Sequence, residues 1–243
     1  MLEGLHRLDT SFQKHIKVAF VMKLLTNELP TLDRLTIRNS ATYGTNATCF
    51  LCHSGNESLN HLWHCPTVTK ENDALSLYDI LTKVFAFIET LPIDINYQRT
   101  LKTHYVWNTR SLRSRISLSW LIRGFIPKDF VNAVNDGLKA STPNDSPSPS
   151  LDDARTTAAS IICQLQSLLY KHRWLPRCRL FNEVESLLGI TSKDKRSSKT
   201  AYTQTPTIIT HTPYHLKWLE MGITHAKWQD FSIGTNYFAS RAA

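Results

Sequence analysis

Residues 49–66 read CFLCHSGNESLNHLWHCP and form the most informative stretch of the chain. Cys49 and Cys52 are separated by two residues, so both side chains can face one ion across a tight turn. His61 and Cys65 are four residues apart and point the same way on one helical turn. Three thiolates and one imidazole complete a tetrahedral zinc shell, and a closed shell is typical of a structural zinc site. The stretch therefore predicts a small zinc-binding knuckle, a short turn or hairpin followed by a helix.

The fourth ligand has alternatives, because His53 and His64 also adjoin cysteines. Each of them directly neighbours Cys52 or Cys65, and side chains of adjacent residues on a helix diverge. We therefore prefer His61 as the ligand and keep the other two histidines as alternatives. The opposing interpretation is a chance cysteine pair beside a surface histidine.

The composition favours a folded protein with an anionic partner. The chain has 243 residues, of which 42% are hydrophobic, and carries a formal net charge of +8. A basic balance of this size suits an anionic partner, either a nucleic acid or an acidic membrane. Five cysteines, an odd number, make a poor disulfide framework. The N-terminal sequence lacks the apolar core of a signal peptide. No apolar run is long enough to cross a bilayer. We expect an intracellular protein, with the nucleus among its compartments, and neither a membrane partner nor a small-molecule substrate.

Apolar residues recur at helical spacing through most of the chain, which predicts a mainly α fold. The helical domain carries the inserted knuckle, and a second helical segment follows a linker. Trp174-Leu-Pro is expected to interrupt that segment, and the pair Asp152-Asp153 to favour its N-terminus. The predicted organisation is a helical hairpin with the zinc motif at 9–66, a helical domain at 67–140, a Pro- and Ser-rich linker at 141–150, a helical segment at 151–190 and a basic, partly disordered tail at 191–243.

Two clusters combine cations with aromatic side chains, and arginine forks with aromatic faces can hold phosphates and stacked bases. The alternative is that the aromatic rings belong to the core and the cations to a solvated face; for the second cluster the two interpretations are evenly balanced. The candidate nucleic-acid-binding residues are Arg110, Arg113 and Arg115 in the first cluster, and Lys171, Arg173, Trp174, Arg177 and Arg179 in the second.

The sequence resembles a known family around the cysteines. The run LLTNELPTLDRL at 24–35, the cysteine pair and ESLNHLWHCP at 57–66 resemble the zinc-binding region at the C-terminal end of non-LTR retrotransposon reverse transcriptases. The match covers residues 17–66, and RWLPRC at 173–178 is similar to downstream sequence in fungal members. Many members have four residues between the histidine and the last cysteine where this chain has three, which keeps His64 as a rival ligand.

The resemblance implies a Zn²⁺ cofactor held by the preferred ligands and contact with template RNA or target DNA. No acidic pair in the aromatic setting of a polymerase is present, and the adjacent carboxylates Asp152-Asp153 suit a helix start instead. We therefore expect a non-enzymatic, zinc-stapled nucleic-acid-binding module, a fragment detached from its polymerase. The alternatives are a zinc-stabilised protein-interaction scaffold and a non-functional remnant.

Overall fold

The computed structural model describes residues 12–67, 74–108, 118–143 and 146–196, and over these ranges the chain is mainly helical, as predicted. No strand forms in these ranges, and the one β-bridge there joins Thr48 and Asn56. The α-helices are α1 (Phe12–Leu25), α2 (Leu32–Arg38), α3 (Ser40–Tyr43), α4 (Leu59–His64), α5 (Leu77–Glu89), α6 (Ile95–Thr103), α7 (Leu118–Ile122), α8 (Lys128–Ser141), α9 (Leu151–Leu169), α10 (Leu175–Leu187) and α11 (Ser192–Arg196).

Local side-chain bonds set where α5 and α9 begin. At α9 the Ser150 hydroxyl accepts from the Asp153 amide at 3.2 Å, and the Asp153 carboxylate accepts from the Ser150 amide at 2.8 Å. This capping box satisfies backbone donors that a helix start leaves free. The predicted role at the helix start is confirmed for Asp153, while Asp152 pairs with Arg155 at 2.8 Å. Helix α5 begins with the same device.

One hydrophobic core joins the predicted segments. It runs from Phe20 in α1 to Trp174, and helix α9 lies at its centre between α5 and α8, with α6 against α8. Burial of this continuous apolar surface is the main stabilising contribution. The described residues of the predicted segments 9–66, 67–140 and 151–190 therefore share one hydrophobic core.

The long C-terminal helix is not interrupted at Trp174-Leu-Pro. It continues from α9 into α10 through a π-helical turn, Tyr170–Trp174, in which the Leu175 amide donates to the Tyr170 carbonyl five residues back. Pro176 has no amide to offer the His172 carbonyl, so that carbonyl instead accepts from the Leu75 amide at 3.4 Å. The helix accommodates the proline by widening into the π-helical turn, and the His172 carbonyl bonds the helix to the segment after the knuckle.

None of the helices in the described ranges has the length and apolarity needed to cross a membrane. Of the predicted tail at 191–243, the described part is Thr191 and helix α11, and positions beyond 196 lie outside the described residues.

Candidate metal centre

A short hairpin-like loop presents the first two cysteines. Its arms are held by the Cys49 amide donating to the Gly55 carbonyl at 2.7 Å and by the Glu57 amide donating to the Ala47 carbonyl at 2.8 Å. Between the arms, the His53 amide donates to the Cys49 carbonyl at 2.9 Å, and His53 takes a left-handed backbone conformation with φ of 53°. This tight turn brings the thiol groups of a Cys-x2-Cys pair to one side of the loop.

Helix α4 presents the other two candidate ligands. Ser58 caps it, accepting from the His61 amide at 3.2 Å, and Cys65 follows its last residue. A helix of six residues cannot stabilise itself in water, so its position depends on tertiary contacts. Its buried face carries Leu62 and Trp63, each 1% exposed, and both belong to the main core.

The four predicted ligands converge, and together they could bind a metal ion. One atom from each of Cys49, Cys52, His61 and Cys65 lies within 4.8 Å of all the others. The Cys49 and Cys65 sulfurs are 3.9 Å apart, and the Cys52 sulfur is 3.3 Å from His61 Nε2. Around a tetrahedral zinc with Zn–S of about 2.3 Å and Zn–N of about 2.0 Å, those edges would be roughly 3.8 and 3.5 Å. Donor chemistry and spacing both fit zinc.

The two rival histidines do not join this cluster. Both His53 and His64 are exposed. The Nδ1 of His64 lies 2.9 Å from the Asn60 carbonyl of its own helix turn and donates to it there. Among the three histidines of this stretch, His61 is the one whose ring reaches the thiols.

The thiols of the cluster have unlike surroundings. Cys49 and Cys65 are each 1% exposed, and burial raises the pKa of Cys49 to about 12. The Ser54 hydroxyl, 3.1 Å from the Cys52 sulfur, lowers the pKa of Cys52 to about 6. Cys49 and Cys65 are buried, and Cys52 and His61 are partly buried. Bringing three thiolates together here is unfavourable unless a cation joins them, and a bound metal supplies that cation.

Arg173, from the π-helical turn, holds the far end of α4. Its side chain is 1% exposed, and the two N–H groups of its Nη2 are shared among the carbonyls of Leu62, Trp63 and Cys65, at 3.1, 2.8 and 2.9 Å. Its Nη1 donates to the Leu75 carbonyl at 3.3 Å. The first three carbonyls lie at the end of α4, where a helix leaves carbonyls without intrahelical partners, and their dipoles favour a cation.

Arg177, one turn further on, holds the start of α4 through Glu57. The Arg177 guanidinium donates to Glu57 Oε1, with Nε at 3.0 Å, and the same oxygen accepts from the Leu32 amide at 3.2 Å. Both side chains are buried, at 2% and 1% exposure. Burial is the larger influence on Glu57 and raises the pKa of its carboxyl, while Arg177 opposes that shift. The guanidinium also lies over the Phe181 ring, 4.1 Å from its centroid.

The structure separates the second cluster of predicted nucleic-acid-binding residues. Arg173, Trp174 and Arg177 are buried, so their side chains contact other parts of the protein and are not accessible to an external phosphate. Lys171 and Arg179 are exposed. The candidates Arg110, Arg113 and Arg115 lie outside the described residues.

Sequence reasoning missed Glu57 as a structural partner of the centre. Its position within the resemblance, at the start of ESLNHLWHCP, was the available signal, but its partner Arg177 is 120 residues away along the chain.

Comparison of the chain with protein-family models, with curated proteins and with solved structures found no match.

Proposed function

We propose that Cys49, Cys52, His61 and Cys65 bind one Zn²⁺ as a structural centre, and that the helical body it staples binds RNA or DNA. The observation that carries the proposal is the convergence of four metal-binding side chains at zinc spacing. Four protein ligands leave no open position for water or substrate, which is typical of a structural zinc rather than a catalytic one. The proposed role is therefore binding and not catalysis.

Charge supports a polyanionic partner. The chain carries a net charge of +8, and α1 holds lysines but no acidic residue. Helix α1 packs on the π-helical turn, where the Phe20 and Tyr170 ring centroids are 5.0 Å apart. Exposed cations lie on these two contacting elements and on the adjoining α10, and we propose that they contact one nucleic acid. We call them the basic surface, which consists of Lys17, Lys23, Lys171 and Arg179.

The family resemblance at residues 17–66 supports the same partner class. It favours an origin as the zinc-binding end of a retrotransposon reverse transcriptase, separated from the polymerase. The proposal places nucleic-acid contacts on the basic surface, because the arginines of the second cluster that point inward already have protein partners.

The test is a titration of labelled single-stranded RNA and duplex DNA against the zinc-loaded chain at several salt concentrations. Binding through the basic surface predicts a log–log salt slope near −0.9 for each duplex phosphate neutralised. Replacing Lys17 and Lys171 by Glu should weaken binding and flatten the slope. The matched control replaces Lys83 and Lys139 by Glu, since these exposed lysines lie on α5 and α8. Equal loss in both variants, or binding that ignores salt, would contradict the assignment.

A protein-interaction scaffold is the second candidate, and one observation favours it. Val18 and Met22, one turn apart on α1, are 50% and 51% exposed. Exposed apolar side chains at this spacing are typical of a helix that packs on a partner. A scaffold predicts zinc binding without nucleic-acid binding at moderate salt, and weakened partner capture after Met22→Glu.

A further inference from the structure

Helix α4 carries two candidate ligands but has few means to hold its own position. It is six residues long, and its His61 and Cys65 must meet Cys49 and Cys52, which belong to a different loop. A shift of α4 along its axis would move two of the four ligand atoms together. Whatever fixes the end of α4 therefore fixes half of the metal site.

Arg173 provides that contact from more than 100 residues away. Its three bonds to the Leu62, Trp63 and Cys65 carbonyls span the last turn of α4, and its fourth, to Leu75, joins the chain beyond the knuckle. A planar guanidinium has five donors in a fixed fork, so several bonds at once restrict both the position and the angle of the helix end. The Cys65 carbonyl that it binds belongs to a candidate ligand residue.

Arg173 also forms no ion pair with a carboxylate of the described residues. At 1% exposure its partners are all backbone carbonyls, and a buried cation without a counter-charge is costly. Zinc with three thiolates and a neutral imidazole has a net charge of −1, because the ligating thiols give up their protons. A loaded centre beside Cys65 would supply the missing negative charge.

We propose that Arg173 is the positioning residue of the metal centre: it fixes the C-terminal end of α4 so that His61 and Cys65 meet the other ligands, and it balances the charge of the loaded site. The inference rests on the proposed zinc binding and extends it to a residue outside the ligand set. It does not depend on whether the chain binds nucleic acid.

The chain offers a matched control in Arg123. Its guanidinium also caps a helix end, donating to the Leu25 carbonyl of α1 at 3.2 and 2.8 Å, but α1 carries no candidate ligand. Arg123→Met therefore removes an arginine cap without touching the knuckle. Arg173→Met removes both the fork and the charge, and Arg173→Lys keeps the charge while losing the fork.

The experiment measures Zn²⁺ affinity by competition with a chromogenic chelator and records the visible spectrum of the Co²⁺-loaded chain. We expect Arg173→Met to weaken Zn²⁺ binding by at least about tenfold and to alter the Co²⁺ ligand-field bands. Arg173→Lys should fall between this variant and the wild type. Arg123→Met should lower the melting temperature while leaving Zn²⁺ affinity within about twofold of wild type, since ligand geometry is untouched.

Unchanged affinity and spectrum in Arg173→Met would overturn the role of Arg173 while leaving zinc binding intact. An equal loss of affinity in Arg123→Met would also overturn it, because stability alone would then explain the effect. Absence of metal from the wild-type chain would overturn the zinc proposal and this inference together. Should Arg173→Met fail to fold, Arg173→Lys decides: weaker binding than in Arg123→Met supports the role, and equal binding overturns it.

Discussion

At the scale of single residues, two arginines bind the knuckle to the helical body. Arg173 and Arg177 are one helical turn apart and point the same way, one to the end of α4 and the other to Glu57 just before its start. Both are buried and donate to groups inside the protein, while Nε of Arg173 has no hydrogen-bond partner among the described residues. Their burial leaves Lys171 and Arg179 as the cations of this cluster that reach the surface.

The buried pair of Arg177 and Glu57 leads to a stability prediction. Arg177→Met leaves a carboxylate buried without its cation, and we expect a loss of about 3–5 kcal/mol in the free energy of unfolding. The double variant with Glu57→Leu should lose less, since no buried charge is then left alone. Urea denaturation followed by circular dichroism measures both.

The control for that prediction is Arg155→Ala, which breaks the exposed pair with Asp152. An exposed pair of this kind contributes less than about 1 kcal/mol. If Arg177→Met cost no more than Arg155→Ala, the pair would not be buried as described.

Three histidines within twelve residues allow a direct test of ligand identity. His61→Ala should lower zinc stoichiometry and affinity, because His61 Nε2 lies 3.3 Å from the Cys52 sulfur. His53→Ala and His64→Ala should keep one zinc per chain, since both side chains are exposed and stand away from the cluster. Elemental analysis of the three purified variants after dialysis decides; a loss confined to His64→Ala would reassign the fourth ligand.

At the scale of elements, close packing between helices constrains the body that carries the site. Helix α8 approaches α6 at Gly137, where an added Cβ would lie 2.5 Å from Ile93 Cγ2 and 2.8 Å from Tyr97 Cβ. Alanine usually stabilises a helix relative to glycine, but here the added methyl group has no room.

Gly137→Ala is therefore expected to destabilise the protein by about 1–3 kcal/mol in spite of its better helix propensity. Gly55→Ala serves as the control, because an added Cβ there meets no atom within 4 Å. Thermal melting compares the two variants, and a more stable Gly137→Ala protein would show that α6 and α8 do not approach this closely.

Helix periodicity predicted most elements, but it could not predict the π-helical turn. The pattern around Trp174-Leu-Pro indicated a break, because proline removes an amide and clashes within a regular helix. The π-helical turn Tyr170–Trp174 carries the helix through the proline, and the Leu75 amide, about 100 residues earlier, donates to the His172 carbonyl. The convergence of the four candidate ligands was predictable from local spacing, whereas the contacts of Arg173 and Glu57 depend on partners more than 100 residues away.

At the scale of the whole molecule, the candidate metal ligands lie in a small cluster separate from the main hydrophobic core. Cys49 and Cys65 form a small buried group with Leu51, Cys52 and Ala74, apart from the large core between Phe20 and Trp174. A metal held at such a satellite cluster should stabilise its own loop first, whereas classical zinc fingers unfold completely without metal.

Removal of the metal by a chelator should therefore loosen the loop and spare the body. We expect faster amide hydrogen exchange at residues 47–57 and little change in α5, α8 and α9, with helical circular dichroism mostly retained. Complete unfolding on chelation, or unchanged exchange in the loop, would contradict this division of the molecule.

Zinc bound by three sulfurs and one imidazole nitrogen has a characteristic zinc K-edge X-ray absorption spectrum, which can be recorded on the purified chain. We expect three sulfur ligands at about 2.3 Å and one nitrogen at about 2.0 Å, with one zinc per chain. A first shell made of oxygen and nitrogen alone, or a chain that retains no zinc, would contradict it.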